Sequence, residues 1–243
     1  MNLLVLGANS EIGTAIAHTF AREKGADVIL ASRNLESLEK KAMDIALRYQ
    51  VQAEPARFDA LDYNSHHDFY KGLIKKPDCV VLAFGYLGNQ IHAEKNFVEA
   101  KQIVETNFLG AVSILEIIAA DFAAKGRGSI IGISSVAGER GRQSNYIYGA
   151  AKGGLSIYLA GLRHRLARAN VTVLTVLPGF VRTKMTQGLD LPERLTADPE
   201  DVANDVFQAF CNNKHQVYSK RIFKQIMWII KNLPEKIFQK TNL

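Results

Sequence analysis

What this sequence of 243 residues has little of narrows it early. It holds two cysteines, Cys79 and Cys211, too few for a disulfide framework, and Cys79 sits in an apolar run as a small hydrophobe would. Reduced thiols in a cytoplasmic protein are therefore expected. No charged segment precedes the apolar start Leu3-Leu4-Val5-Leu6, which runs straight into glycine, so a secretory signal is not expected. No uninterrupted apolar stretch has the length of a bilayer span. Repeats, linkers and low-complexity tracts are missing, and the length suits one α/β domain able to bury a core. A general excess of basic charge is missing too. Net charge is +6, but residues 220–243 carry six basic residues and one acid, leaving about +1 for everything before them, so a nucleic-acid surface is not indicated.

The most informative absence is local. Asn2–Leu6 has the continuous apolar character of a buried parallel strand and runs into Gly7-Ala8-Asn9-Ser10-Glu11-Ile12-Gly13, after which residues 14–24 have helical spacing. Strand, glycine turn and helix start make the pyrophosphate-binding unit of a doubly wound fold: Gly7 allows the tight turn, Gly13 lets the helix lie close to the strand, and free N–H groups face a phosphate. An ordinary strand–helix turn has the same look. NAD-binding versions place an acid about 20 positions further on to hold the ribose 2′-hydroxyl. Here the second strand, residues 27–31, ends in Ser32-Arg33-Asn34, without an acid. A guanidinium matches a phosphate in charge and shape, so NADP(H) is favoured over NAD(H), with a solvated loop arginine as the alternative.

Strand-like and helical stretches then alternate. Helices are expected over residues 35–49, 63–75, 96–124 and about 145–168, and one opens at Asp198-Pro199; strands are expected over 51–58, 79–83, 129–134, 171–177 and 216–219. The alternation predicts an α/β, Rossmann-type doubly wound parallel sheet with helices on both faces. Asp59, after the third strand, suits an adenine amino group or a helix N-cap, the cap being equally open to Asp62. Residues 181–196, after Pro178-Gly179, are polar and irregular, as a flap over a site would be.

The chemistry concentrates in Ser134-Ser135-Val136-Ala137-Gly138 and Tyr148-Gly149-Ala150-Ala151-Lys152. A tyrosine and a lysine four apart share a helix face. An ammonium beside a phenol lowers its pKa from about 10, fitting it to exchange a proton with a substrate oxygen. An exposed aromatic–cation pair has the same spacing.

Taken in order, Gly7…Gly13, Asp59, Ala83-Phe84-Gly85, Asn107, Ser135, Tyr148…Lys152 and Pro178-Gly179…Thr183 resemble the short-chain dehydrogenase/reductases in their compact single-domain form, over residues 1 to about 218. The resemblance implies that Tyr148 is general acid in reduction and base in oxidation. Lys152 would lower its pKa and bind the nicotinamide ribose, and Ser135 would hold the substrate oxygen. Asn107 would distort its helix and anchor a proton-relaying water. For the cofactor it implies Gly7, Asn9, Ser10, Ile12 and Gly13 at the phosphates, Ser32, Arg33 and Asn34 at the 2′-position, and Asp59 and Ala60 at the adenine. Ala83, Phe84 and Gly85, at the end of the fourth strand and just after it, would also bind the cofactor, and Pro178, Gly179, Val181 and Thr183 would lie at the nicotinamide. The pattern departs from the family at Leu6 and Glu11 and in Leu82-Ala83-Phe84-Gly85. The turn ending Ser10-Glu11-Ile12-Gly13, the stretch Phe84-Gly85-Tyr86-Leu87-Gly88 and Ser-Ser-Val-Ala-Gly-Glu-Arg together resemble the branch that includes the decaprenylphosphoryl-ribose epimerase reductases, which reduce a keto-sugar carried on a polyprenyl phosphate. The implied function is NADPH-dependent reduction of a small-molecule or lipid-linked ketone, by a homodimer or homotetramer built through the Asn107 and Tyr148 helices. A non-catalytic NADP-binding sensor or scaffold is the reading from another class.

Residues 220–243 form a basic amphipathic extension of the domain spanning residues 1–219. Ile222, Ile226, Ile229 and Leu233 fall on one stripe, with Phe223, Met227 and Ile230 beside them and Trp228 among them. Such a helix suits peripheral contact with an anionic membrane, or packing on the protein's own body or on a second subunit.

Overall fold

The computed structural model describes residues 1–241, so the last two residues of the 220–243 tail lie outside it. In chain order the strands are β1 (Asn2–Leu6), β2 (Asp27–Ser32), β3 (Ala53–Arg57), β4 (Cys79–Leu82), β5 (Gly128–Ile133), β6 (Val171–Pro178) and β7 (Gln216–Ser219). Between and after them run α1 (Glu11–Lys24), α2 (Leu35–Tyr49), α3 (His66–Gly72), α4 (Gln90–Ala93), α5 (Phe97–Val104), α6 (Gly110–Lys125), α7 (Tyr146–Leu166), α8 (Pro199–Cys211), α9 (Ile222–Asn232) and α10 (Glu235–Phe238). The strands form one parallel sheet in the order β3-β2-β1-β4-β5-β6-β7, the doubly wound topology expected from the alternation. The order reverses between β1 and β4, and a crevice outside the carboxyl ends of these strands is where such folds bind ligands.

Both faces of the sheet are covered, which is why β1 and β4 are apolar at every buried position. On one side Phe20, Leu38, Ile45, Val202 and Val206 of α1, α2 and α8 pack on Leu3, Val5 and Val81. On the other, Ile114, Ile118, Phe122, Leu155 and Leu159 of α6 and α7 pack on Leu4, Val80 and Ile130. A run of 29 helical residues, Phe97–Lys125, is long and apolar enough to cross a bilayer by length and composition only, although Glu105, Glu116 and Asp121 interrupt its apolar residues. In the fold, its α6 segment lies in the second core.

Several boundaries differ from expectation for local reasons. The first helix starts at Glu11 because Ser10 caps it, accepting from Gly13 N at 3.0 Å. The helix expected over 63–75 shrinks to a 3₁₀ turn, Tyr63–Ser65, and α3, because no side chain caps its start and Leu73 turns extended at ψ 120°. Asp62 takes the N-cap position of the 3₁₀ turn without making a side-chain cap bond, while Asp59 Oδ1 accepts from Leu61 N. The long helix is interrupted by a π turn, Glu105–Leu109, centred on Asn107. The irregular stretch after β6 contains 3₁₀ turns at Lys184–Thr186 and Glu193–Leu195 and a single bridge, Val181 to Ala197.

The tail is part of the body. Phe223, Met227 and Ile230 of α9 are buried against Val136 and Leu177. The stripe led by Ile222 and Ile229 faces outward, with those residues 48% and 54% exposed. Both stripes are apolar, so periodicity alone does not choose between them. The choice is made by Gly179, where an added Cβ would lie 2.0 Å from the Phe223 ring.

Candidate active site

The carboxyl edge of the sheet is lined by short polar turns, and each supplies part of one cleft. After β1, Gly7 turns the chain at φ +88° with the β4 loop pressed against it: a Cβ there would sit 2.4 Å from Phe84 N. Gly13 lies equally close to the turn, its would-be Cβ 2.8 Å from Gly7 O. The Ser10 hydroxyl is committed to the fold, donating to Ala83 O at 3.2 Å while capping α1. The N–H groups of Glu11 and Ile12, at the first two positions of α1, have no intrahelical partner and point out of the helix end.

One end of the cleft is a cavity of about 320 Å³ lined by Gly7, Asn9, Ser32, Arg33, Asp59 and Ala60. Asn9 donates through Nδ2 to Asn34 O at 3.1 Å, while its Oδ1 is buried with no partner, an acceptor left for a ligand. Arg33 is exposed at the rim. Asn34 does not line this cavity; its side chain caps α2 by accepting from Ser37 N at 3.1 Å.

The other end, a cavity of about 180 Å³, takes Ser10, Ile12, Ala83, Phe84 and Gly85 on one side and Ser135, Tyr148, Lys152, Pro178, Gly179, Val181 and Thr183 on the other. Ser134 and Ser135 divide their work. Ser134 Oγ is buried, donating to Lys152 O at 2.9 Å and pairing with Ser156 Oγ at 2.7 Å, so it pins α7 to β5. Ser135 faces the phenol of Tyr148. Tyr146, the neighbouring tyrosine, is 44% exposed and lines neither cavity.

Burial pushes Tyr148 up to about 12, with the Ser135 hydroxyl pulling the other way. Burial likewise takes Lys152 down to about 8. The lowering of Tyr148 by Lys152 expected from spacing is therefore not seen in this structure. Lys152 Nζ donates to Ile133 O at 3.0 Å and stands 5.8 Å from the Tyr148 ring centroid, over the ring rather than at the hydroxyl. The result at neutral pH is a protonated phenol beside a mostly protonated ammonium.

Asn107 stands behind the cleft. In the π turn its Nδ2 donates to Ile103 O at 2.8 Å and to Tyr86 O, and its Oδ1 accepts from Tyr86 N at 3.2 Å. It thereby fixes the loop after β4. Gly85 is the residue that permits this: a Cβ there would meet Asn107 Oδ1 at 2.9 Å and Lys152 Nζ at 3.4 Å. Glu11 is also structural, accepting from Lys184 N at 3.1 Å and so tying the glycine turn to the flap.

Sequence reasoning missed much of the cavity wall. Leu87, Arg142, Asn145, Phe180, Met185, Leu189 and Phe223 complete it. Met185 and Leu189 carried a signal, as isolated apolar residues in a polar flap. Phe223 carried none, because its role depends on where the tail docks.

A profile of the family described as short chain dehydrogenase matches residues 1–194. An uncharacterised oxidoreductase of Mycobacterium tuberculosis strain H37Rv is 34% identical over 241 residues, covering 98% of this chain and 96% of that protein. A short-chain dehydrogenase from Sphingobium yanoikuyae in complex with NADPH superposes with a TM-score of 0.83 at 20% identity, covering 96% of each chain. An actinorhodin polyketide ketoreductase, solved with NADPH as a single-residue variant, superposes with a TM-score of 0.79 at 22% identity, covering 90% of this chain and 96% of that one.

Proposed function

The chain belongs to the short-chain dehydrogenase family, and from that premise we propose that it reduces a ketone with NADPH, reversibly, using Tyr148 as proton donor. The observation that carries the reading is the meeting of Ser135, Tyr148 and Lys152 in one largely apolar cavity that opens into the cleft over the β1–β4 crossover. When bound, the nicotinamide supplies the hydride. Ser135 holds the carbonyl oxygen by a hydrogen bond, Tyr148 delivers the proton to that oxygen, and Lys152 fixes the nicotinamide ribose and keeps positive charge near the phenol. Leu87, Phe180, Met185 and Phe223 exclude water, which strengthens each polar contact. The residues fit NADP(H): the Asn9 acceptor, the open N–H groups of α1 and the exposed Arg33 lie along one cleft. The test is ketone-dependent NADPH oxidation over a panel that includes keto-sugars and their polyprenyl-phosphate conjugates. Tight NADPH binding with no oxidation across the panel would favour a sensor or scaffold.

A keto-sugar or lipid-linked sugar is the substrate class we favour. Exposed Ile222, Trp228 and Ile229 beside Lys224 support peripheral membrane contact, and liposome association of the full chain tests it. Phe97, Val98 and Ile157, each at least 70% exposed on α5 and α7, support a homo-oligomer through those helices.

Arg33→Ala is expected to weaken NADPH by about 10- to 100-fold, the worth of a charge-assisted contact, while leaving NADH nearly unchanged. Equal losses for both nucleotides, measured by fluorescence titration, would refute the 2′-phosphate role.

Reductive kcat/KM is expected to fall as pH rises through about 8. The sign follows from Lys152: burial has lowered its pKa, so its charge is present below that value and lost above it, and with it the field that favours the phenolate left after proton transfer. Lys152→Met should lower the rate and abolish that limb of the profile. A wild-type profile flat across it would remove Lys152's charge from the mechanism.

A further inference from the structure

We propose that Arg142 is a substrate-anion site: the carbonyl compound that reaches Tyr148 carries a carboxylate or phosphate oxyanion, and Arg142 binds it. The inference rests on the reductase reading above and names a chemical class for its substrate. Arg142 lies in the loop before α7, six residues ahead of Tyr148, and lines the same cavity as Tyr148 and Ser135.

The fold makes poor use of this guanidinium. Nη2 donates to the Met227 thioether at 3.2 Å, a weak acceptor. Nε is buried with no partner, and Nη1 makes no hydrogen bond among the described residues. The nearby carboxylate, Glu139, makes no hydrogen bond to Arg142, and its Oε2 is buried with no partner. Its Oε1 accepts from Tyr218 Oη and from Lys231 Nζ, each at 2.9 Å. Glu139 is thus shared with Lys231, and it offsets the charge of Arg142 only in part and without a hydrogen bond to it. Burial pulls the Arg142 pKa down, with Glu139 opposing.

Arg142 is half-buried with its Nε fully buried and unpaired, and desolvating a charge that is so weakly partnered is costly, so an anion in the cavity would be favoured beside it. The same wall carries a second unpaired polar atom, Asn145 Oδ1. Of the other charged residues lining the cavity, Lys152 adds positive potential, and Glu11 is held at the opposite side by Lys184 N. The remaining wall near Arg142 is apolar, from Val136, Phe180 and Phe223, and in such surroundings an ion pair with a guanidinium is little screened.

The test is calorimetric titration of the enzyme–NADPH complex with butyrate and with butyl phosphate, each against its neutral counterpart, butyramide and butanol. At least one anion is expected to bind about 10- to 100-fold more tightly than its counterpart, and the two arms separate carboxylate from phosphate. Arg142→Met should erase that preference, Arg142→Lys should keep part of it, and Met227→Leu, which removes only the thioether acceptor, should leave it. NADPH affinity and the circular dichroism spectrum show that each variant is folded. Equal binding of anion and neutral compound by wild type overturns the proposal even if Arg142→Met does not fold, and so does a folded Arg142→Met that retains the preference. Arg142-dependent anion binding without ketone-dependent NADPH oxidation would support the site and overturn the reductase reading instead.

Discussion

Tyr148→Phe is expected to lower kcat for ketone reduction by about 10²- to 10⁴-fold and to leave NADPH affinity unchanged. The substitution removes one oxygen from a ring that otherwise keeps its shape, so the cavity wall and the neighbouring Lys152 stay in place. What is lost, on the proposed mechanism, is the proton donor. With its pKa pushed up to about 12, Tyr148 is protonated throughout the physiological range. That value makes it a weak acid towards water but a sufficient one towards an alkoxide, which is more basic than a phenolate, so transfer to the reduced substrate runs downhill. The direction of the shift therefore fits reduction better than oxidation, which would need the phenolate from the start. Ser135→Ala should cost less, since it removes a hydrogen bond to the substrate oxygen rather than the proton itself. Stopped-flow hydride transfer and equilibrium NADPH titration on the same preparations separate the two effects. A Tyr148→Phe enzyme with near wild-type kcat would show that the proton comes from elsewhere.

The parts of this protein that were legible in the sequence are those decided by local chemistry. β1 is readable because a strand covered on both faces has no polar position, and the glycine turn because Gly7 sits at positive φ under the β4 loop. The Tyr148–Lys152 spacing is set by the helix alone. The parts that were not legible depend on tertiary contacts. The π turn at Asn107 exists because its amide reaches Tyr86, 21 residues away, and no periodicity in Phe97–Lys125 announces that. The protonation state of Tyr148 follows from burial, which spacing does not encode; read from spacing alone, its pKa moves the wrong way. Arg142 looks like a solvated loop residue until α9 covers it. Glu11, a departure from the family pattern in sequence, holds the flap through Lys184 N.

A chain ending at Ser219 is expected to melt roughly 10–30 °C lower than the full chain and to lose ketone reduction. The tail buries Phe223, Met227 and Ile230, each worth about 1.5–3 kcal/mol of hydrophobic stabilisation, together roughly 5–9 kcal/mol as an upper estimate. It is held by polar contacts as well. Arg140 Nη1 donates to the carbonyls of Ile230 and Leu233, Nη2 pairs with Glu235 at 3.0 Å, and the guanidinium stacks over the Phe238 ring at 3.9 Å. Removing the tail also removes Phe223 from the cavity wall and the Met227 acceptor from Arg142, so water enters beside Tyr148. A tail that served only as a membrane anchor would give the opposite result: unchanged melting temperature and turnover, with liposome association alone lost. Calorimetry and NADPH oxidation without lipid distinguish these. Loss of both stability and turnover would make α9 a structural wall of the active site. Its outward stripe of Ile222, Trp228 and Ile229 would remain free to meet a membrane, since the residues that seal the cavity and those that face solvent lie on different sides of the helix.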